Sequence, residues 1–245
     1  MVMKRILSNY VYLPSLLTGR SRILDYGCGR GDLLLELKKI APKAIGCDVA
    51  DYIYQESPDI KRGLTVNHDI FKVREEGTDF STDEFDCIIC NQVLEHVFDH
   101  KSILVEMDRL LDRSGIMVLC FPPREIIIEP HLKLPFIHRL KKNQYLLRLY
   151  LRFAHYFRIG QAKGSKKNRQ DWVDDRSSYL LENTNYIGTR DLLKMINELG
   201  FEYENLSQRL LEDRFELRWW ESKVSNLLGA HRITGLLLVC HRKNT

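Results

Sequence analysis

The stretch "RILDYGCGRGDLLLEL", residues 22–37, sets three glycines at alternate positions between a short apolar run and a leucine-rich segment. An apolar run that stops at a glycine turn and restarts at helical spacing predicts a strand, a tight loop and a helix. Such a loop points backbone N–H groups at a ligand. The spacing is G-x-G-x-G, and Asp32 stands where a dinucleotide fingerprint would carry its third glycine. Asp25 before the turn and Asp32 after it suit a ligand with positive charge better than a pyrophosphate.

Outward from this turn, apolar runs alternate with amphipathic stretches: "AIGCDV", "LTVNHD", "FDCIICN" and "GIMVLCFPP" are strand candidates, with helical patterns at 33–40 and 102–111. That rhythm predicts βα units and a parallel sheet covered on both faces. It stops after Pro123 and resumes at "TRDLLKMINELGF", where Thr189 is the expected N-cap and Gly200 the stop. Residues 124–187 therefore read as an insertion within a single domain spanning 1–245. A strand near 203–209 and the apolar "ITGLLLVCHR" close the chain.

On this reading four features meet at the carboxyl edge of one sheet, where open α/β sheets bind ligands. They are the glycine turn, Asp48 ending the second run, Asp69 ending the third and "NQVLEHV" following the fourth. A carboxylate at Asp48 can accept both hydroxyls of a ribose, and one at Asp69 an adenine amino group.

The matching segments "LDYGCGRG", Asp48, Asp69, "FDCIICNQVLEHVFD" and "LLDRSGIMVLCFPP" resemble those of class I S-adenosylmethionine-dependent methyltransferases. The resemblance implies a Rossmann-like α/β fold, with a seven-stranded, mostly parallel sheet and helices on both faces. It also implies S-adenosylmethionine as cofactor. Asp25 and the turn Tyr26, Gly27, Cys28, Gly29 and Gly31 would meet its methionine portion, Asp48 and Val49 the ribose, Asp69 and Ile70 the adenine. Asn91 and Gln92 would border the sulfonium.

His96 is a catalytic candidate, since an imidazole near the transferred methyl can take a proton at neutral pH; the alternative is that Glu95 and His96 orient the following helix. Glu129 and His131 form a second candidate pair, in a run ("PHLKLPFIH") that resembles inserts of glycan-modifying bacterial methyltransferases. His138 belongs to the same run. Some quinone-pathway relatives have an acid three residues before the Glu-His pair, but that position is Gln92 here, so no metal is expected. Cys87 and Cys90, three apart on a strand, point to opposite faces and do not form a zinc pair.

The chain carries a formal charge of +4, yet residues 131–170 hold eleven Lys or Arg and no acid. Arg148, Arg152 and His155 lie at i, i+4, i+7 of an amphipathic helix whose aromatics are expected to pack inward. An acid-free stretch of this length points to an anionic partner: a membrane surface, a lipid-linked glycan, or nucleic acid. Trp219 and Trp220 are candidates for an acceptor wall. No long apolar run or cleavage site is seen, so a cytoplasmic location is expected, with peripheral membrane contact through 131–170. The expected activity is O-methylation of a small molecule or glycan. RNA methylation and a non-catalytic membrane-associated role are the alternatives.

Overall fold

The computed structural model of the chain describes residues 16–49, 63–74, 77–215 and 229–243. The strands are β1 (Ile23–Tyr26), β2 (Ile45–Val49), β3 (Ile70–Val73), β4 (Phe85–Asn91), β5 (Leu111–Phe121), β6 (Ile128–Glu129), β7 (Leu134–Pro135), β8 (Phe201–Asn205) and β9 (Leu236–Arg242). The helices are α1 (Asp32–Ile40), α2 (His100–Leu110), α3 (Gln144–Tyr156), α4 (Arg169–Asn183), α5 (Thr189–Glu198) and α6 (Ser207–Phe215). Seven strands form one sheet in the order β3-β2-β1-β4-β5-β9-β8. The first five run parallel, and β9 is antiparallel to both β5 and β8.

Alternation along each strand divides the core into two layers. Ile23, Cys87, Ile89 and Val118 pack with Leu34 and Leu37 of α1 and Leu210 of α6. Leu24, Ile88, Cys90 and Leu119 pack on the other face with Leu104 and Met107 of α2 and Leu192 and Ile196 of α5. Cys87 and Cys90 thus fall in different layers, and all six cysteines are buried free thiols.

Local chemistry sets the helix boundaries. Gly31 adopts φ 84° at the start of α1, with Asp32 in the first turn and Lys38 and Lys39 in the last, as the helix dipole favours. Asp99 caps α2 by accepting from the Ser102 N–H at 3.0 Å. At α5 the N-cap is Gly188, one residue before the expected Thr189. The reason is Glu125, whose carboxylate accepts from both the Thr189 N–H and its hydroxyl at 3.1 Å, supplying the cap from outside the helix.

The third strand is a correction. The run 64–69 was expected to be the strand with Asp69 at its carboxyl end, but β3 starts at Ile70, paired with Gly46, which leaves Asp69 at the amino end. The Asp69 carboxylate accepts from the Thr65 N–H at 2.8 Å and pairs with Lys38 at 2.7 Å, closing a turn over 65–69 in competition with the ladder. Near the C-terminus the strand is 201–205 and α6 follows, whereas Trp219 and Trp220 lie outside the described residues.

The insertion has a core of its own. Leu132, Leu134, Ile137, Leu147, Leu151, Trp172 and Leu180 cluster apart from the sheet layers. Its cations are partly answered just beyond the acid-free window: Arg148 pairs with Asp174 and Lys167 with Asp175, both on α4. The expected inward packing of the α3 aromatics is also overturned. Tyr145, Phe153 and Tyr156 are 74%, 50% and 70% exposed, because Leu147, Leu151 and Ala154 on the opposite side fill the contact with α4. No helix among the described residues is long and apolar enough to cross a membrane.

Candidate active site

The carboxyl edge of the sheet has two halves, joined by residues 91–96. The first half surrounds the glycine turn. Gly27, Gly29 and Gly31 all have left-handed φ (79°, 53° and 84°), which costs a residue with a Cβ about 1 kcal/mol or more. Neighbours differ sharply among them. A Cβ on Gly27 would lie 2.2 Å from Val93 Cγ2 and one on Gly31 2.2 Å from Leu64 Cδ1, whereas at Gly29 nothing lies within 4 Å. Gly29 therefore faces open space.

That space is a cavity of about 290 Å³ whose lining includes Asp25, Gly27, Cys28, Gly29 and Asn91. Asp25 is 2% exposed, and its Oδ2 and the buried Oδ1 of Asn91 lack a hydrogen-bond partner among the described residues. Burial, and then the charge of Asp48, push the Asp25 carboxyl up to about 8. Asp48 accepts from the Gly29 N–H at 2.5 Å and the Val49 N–H at 2.7 Å, and burial raises it too. Two repelling carboxylates and an orphaned amide oxygen form a site for a ligand carrying ammonium or sulfonium charge.

The remaining sequence candidates on this side separate. The Tyr26 side chain and Ile70 are buried in the core, so Tyr26 offers only backbone and Ile70 no ring-facing surface. Asp69 sits at the opposite edge, bound to Lys38 and Thr65, and does not face the cavity. Gln92 has φ 56°, and its side chain turns back to the Cys120 carbonyl at 3.3 Å.

The second half assembles from three distant segments. Glu129 is fully buried and accepts from His131 Nδ1–H at 2.7 Å, the Tyr186 hydroxyl at 2.6 Å and the Leu132 N–H at 2.5 Å. Burial opposes ionisation, but these three donors outweigh it and hold the carboxyl below its ordinary range. The Nδ1 contact leaves Nε2 of a neutral His131 as the lone-pair nitrogen. His96 Nδ1–H donates to the Asn183 carbonyl at 2.6 Å, fixing the same tautomer, and its ring meets that of His131 edge-on at 5.1 Å. Burial lowers the pKa of His96, and the neighbouring His131 adds to the shift.

Glu95 completes the cluster. It is fully buried, neither oxygen has a partner among the described residues, and burial pushes its carboxyl up to about 8. Glu95, His96 and His131 each bring a ligand atom within 4.8 Å of the others, a donor set able to hold a divalent cation. Reading Gln92 alone missed this, because the third donor arrives from residue 131. Tyr186 was also missed, since nothing in its local sequence distinguishes it.

Comparison with known proteins gives a consistent result. Residues 3–206 match the family model described as a methyltransferase domain. The chain is 28% identical over 150 residues to the ubiquinone biosynthesis O-methyltransferase of Methylococcus capsulatus, covering 60% of each chain. It is 27% identical over 103 residues to that of Haemophilus ducreyi, covering 40% of this chain and 44% of that one. The matches thus span less than two thirds of either relative. Among solved structures, an S-adenosylmethionine-dependent methyltransferase from Mesorhizobium loti superposes with TM-score 0.56 at 15% identity, over 96% of this chain and 98% of that one. PKMT2 from Rickettsia typhi in complex with AdoHcy gives 0.54 at 16% identity, over 97% and 54%. These two likenesses concern the fold.

Proposed function

The chain belongs to the methyltransferase-domain family, and from that premise we propose that it transfers a methyl group from S-adenosylmethionine to a hydroxyl of a small-molecule or glycan acceptor. When bound, the cofactor supplies an electrophilic methyl on a sulfonium. The residues present fit it: Asp25 Oδ2 and Asn91 Oδ1 are buried acceptors without donors, beside a glycine whose Cβ space is empty.

The observation that carries oxygen as the acceptor atom is the Glu129–His131 dyad. A hydroxyl must lose a proton as it attacks, and His131 Nε2 can take it while Glu129 stabilises the positive charge that develops on the ring. His96 and Tyr179 pack their rings against His131, at 5.1 and 5.4 Å, and hold it in place. Alignment of the hydroxyl with the breaking bond supplies the rest of the barrier reduction. The O-methyltransferase names of the two relatives agree with this choice. The test is calorimetry with S-adenosylhomocysteine, followed by transfer of labelled methyl to hydroxylated acceptors. No binding of the demethylated cofactor would overturn the reading.

For location, we propose attachment to the surface of an anionic membrane through α3. Tyr145, Leu149, Phe153 and Tyr156 form an exposed apolar face, with the exposed Arg152 at its edge and Arg158 beyond it. Like-charged edges disfavour pairing of two copies through this face. Co-sedimentation with vesicles containing phosphatidylglycerol, lost in Phe153→Glu, is expected. Dimerisation abolished by the same change, or salt-sensitive RNA binding without vesicle binding, would overturn it.

A further inference from the structure

A second and larger cavity, of about 640 Å³, opens within the insertion, beside the dyad. Its walls include the cations Arg124, Arg139, Lys141 and Lys142, with His138, Tyr186 and one carboxylate, Glu125. Its size is that of a small-molecule site, roughly 300–1,000 Å³. The Tyr186 hydroxyl donates to Glu129, so this cavity and the proton-accepting dyad share one wall.

The charge around it is one-sided. Two carboxylates neighbour the four cations. Glu125 is occupied by the Thr189 N–H and hydroxyl, and Asp191 pairs with Arg124 at 3.0 Å on the exposed rim. Arg139 lies 4.9 Å over the Phe136 ring and reaches the Glu125 carbonyl, contacts that orient the guanidinium without neutralising it. Lys141 is steered by the Thr184 carbonyl. Lys142 is exposed and has no carboxylate partner among the described residues. Elsewhere in the insertion Arg148 and Lys167 are answered by aspartates, so its unanswered charge includes this cluster at the cavity.

His138 adds a second, independent feature. It is 5% exposed, its Nε2–H donates to the Arg124 carbonyl at 3.0 Å, and its buried Nδ1 has no partner. His138 belongs to the cavity lining, and its unpaired Nδ1 is an acceptor that a hydroxyl donor suits.

We propose that this cavity binds a phosphate group of the acceptor and that His138 Nδ1 accepts from a neighbouring hydroxyl, so the methylated molecule is a phosphorylated polyol such as a sugar phosphate. The inference rests on the methyl-transfer reading for its link to catalysis, but the binding site stands on the cavity itself. Cations of this geometry take phosphate oxygens through charge-assisted hydrogen bonds, with Arg139 able to bind two at once.

The test is titration calorimetry on the full chain with inorganic phosphate, pyrophosphate, glucose 1-phosphate and glucose, with S-adenosylhomocysteine measured in parallel. Glucose 1-phosphate should bind more tightly than phosphate or glucose alone. The double variant Arg139→Gln/Lys142→Gln should weaken it at least tenfold, with S-adenosylhomocysteine affinity unchanged. His138→Phe should erase the preference for glucose 1-phosphate over inorganic phosphate, while Lys163→Gln should do nothing. Absence of binding by every phosphate, or equal affinity in the double variant, overturns the proposal. So does the finding that phosphatidylglycerol vesicles, and no small phosphate, lose binding in that variant. If phosphates bind and S-adenosylhomocysteine does not, the methyl-transfer reading fails and this one survives.

Discussion

The two halves of the carboxyl edge are built in opposite ways. Around the glycine turn, groups that need a partner are left without one: Asp25 and Asn91 offer acceptors to an open cavity, and the turn itself has no side chain at Gly29 to fill it. Around Glu129 itself the bonds are already made, and they leave His131 Nε2 as the ring nitrogen still open. The first arrangement stores electrostatic demand for a cationic ligand to satisfy, whereas the second fixes one tautomer in advance. On the proposed reading, binding and proton transfer are thereby divided between the sheet and the insertion.

The strongest way to break this division is to remove the leftover nitrogen. His131→Gln should lower kcat by roughly 10²–10⁴, the usual worth of a positioned base, with S-adenosylhomocysteine affinity unchanged in calorimetry. A chelator should leave wild-type turnover intact, and added Zn²⁺ should inhibit by occupying Glu95, His96 and His131. Loss of activity with chelator and recovery with a divalent cation would instead make His131 a ligand and overturn its role as base.

The glycine-turn half can be tested through pH. Free Asp25 has a carboxyl pushed up to about 8, so it is largely protonated at neutral pH, and a ligand bringing an ammonium group favours its ionised form. Binding of S-adenosylhomocysteine should release a proton and tighten by up to about tenfold per unit as pH rises from 6 toward 8. Calorimetry in buffers of different ionisation enthalpy counts that proton. Asp25→Asn should abolish the release, and a pH-independent wild-type affinity would show that Asp25 does not meet the ligand's charge.

These halves were not equally legible in the sequence. A glycine turn, its flanking acid Asp25 and the strand-end acid Asp48 are encoded within short stretches, and pattern places them correctly. Asp69 failed because an Asp bonding the N–H four residues earlier makes a turn, and a turn moves the strand start by several residues. Glu129 and His131 could be named as a pair, but their partners come from residues 96, 179 and 186, which only the tertiary fold brings together. The acid-free window gives only part of its charge balance in the same way: Asp174 and Asp175 lie just past its end and pair with Arg148 on α3 and with Lys167 in the loop before α4.

A smaller effect is expected from Tyr186→Phe. It removes one of four donors to Glu129 while keeping the ring that walls the larger cavity, at a cost of about 1.5 kcal/mol, the low end for a hydrogen bond to a charged group. Turnover should fall roughly tenfold, and KM for the acceptor should stay near its original value. A change in KM alone would place Tyr186 in acceptor binding and not in support of the dyad.

The smallest effect is on stability and concerns Glu95. Its carboxyl is raised in the folded protein from an ordinary 4.5 to about 8, so the folded state holds a proton that the unfolded state gives up in between. Its stabilising contribution is therefore complete below about pH 4.5 and is lost as pH rises toward 8. Gln mimics the protonated acid and does not titrate. Glu95→Gln should match wild type in thermal unfolding near pH 4.5 and exceed it at pH 8, by roughly 2–4 °C for each kcal/mol recovered in a protein of this size. A divalent cation that raises the wild-type Tm at pH 8 but not that of Glu95→Gln would show that the orphaned carboxylate is a ligand, and would move His131 from proton transfer to metal binding. Identical pH dependence in both proteins would mean that Glu95 is ionised in the fold and finds a partner elsewhere.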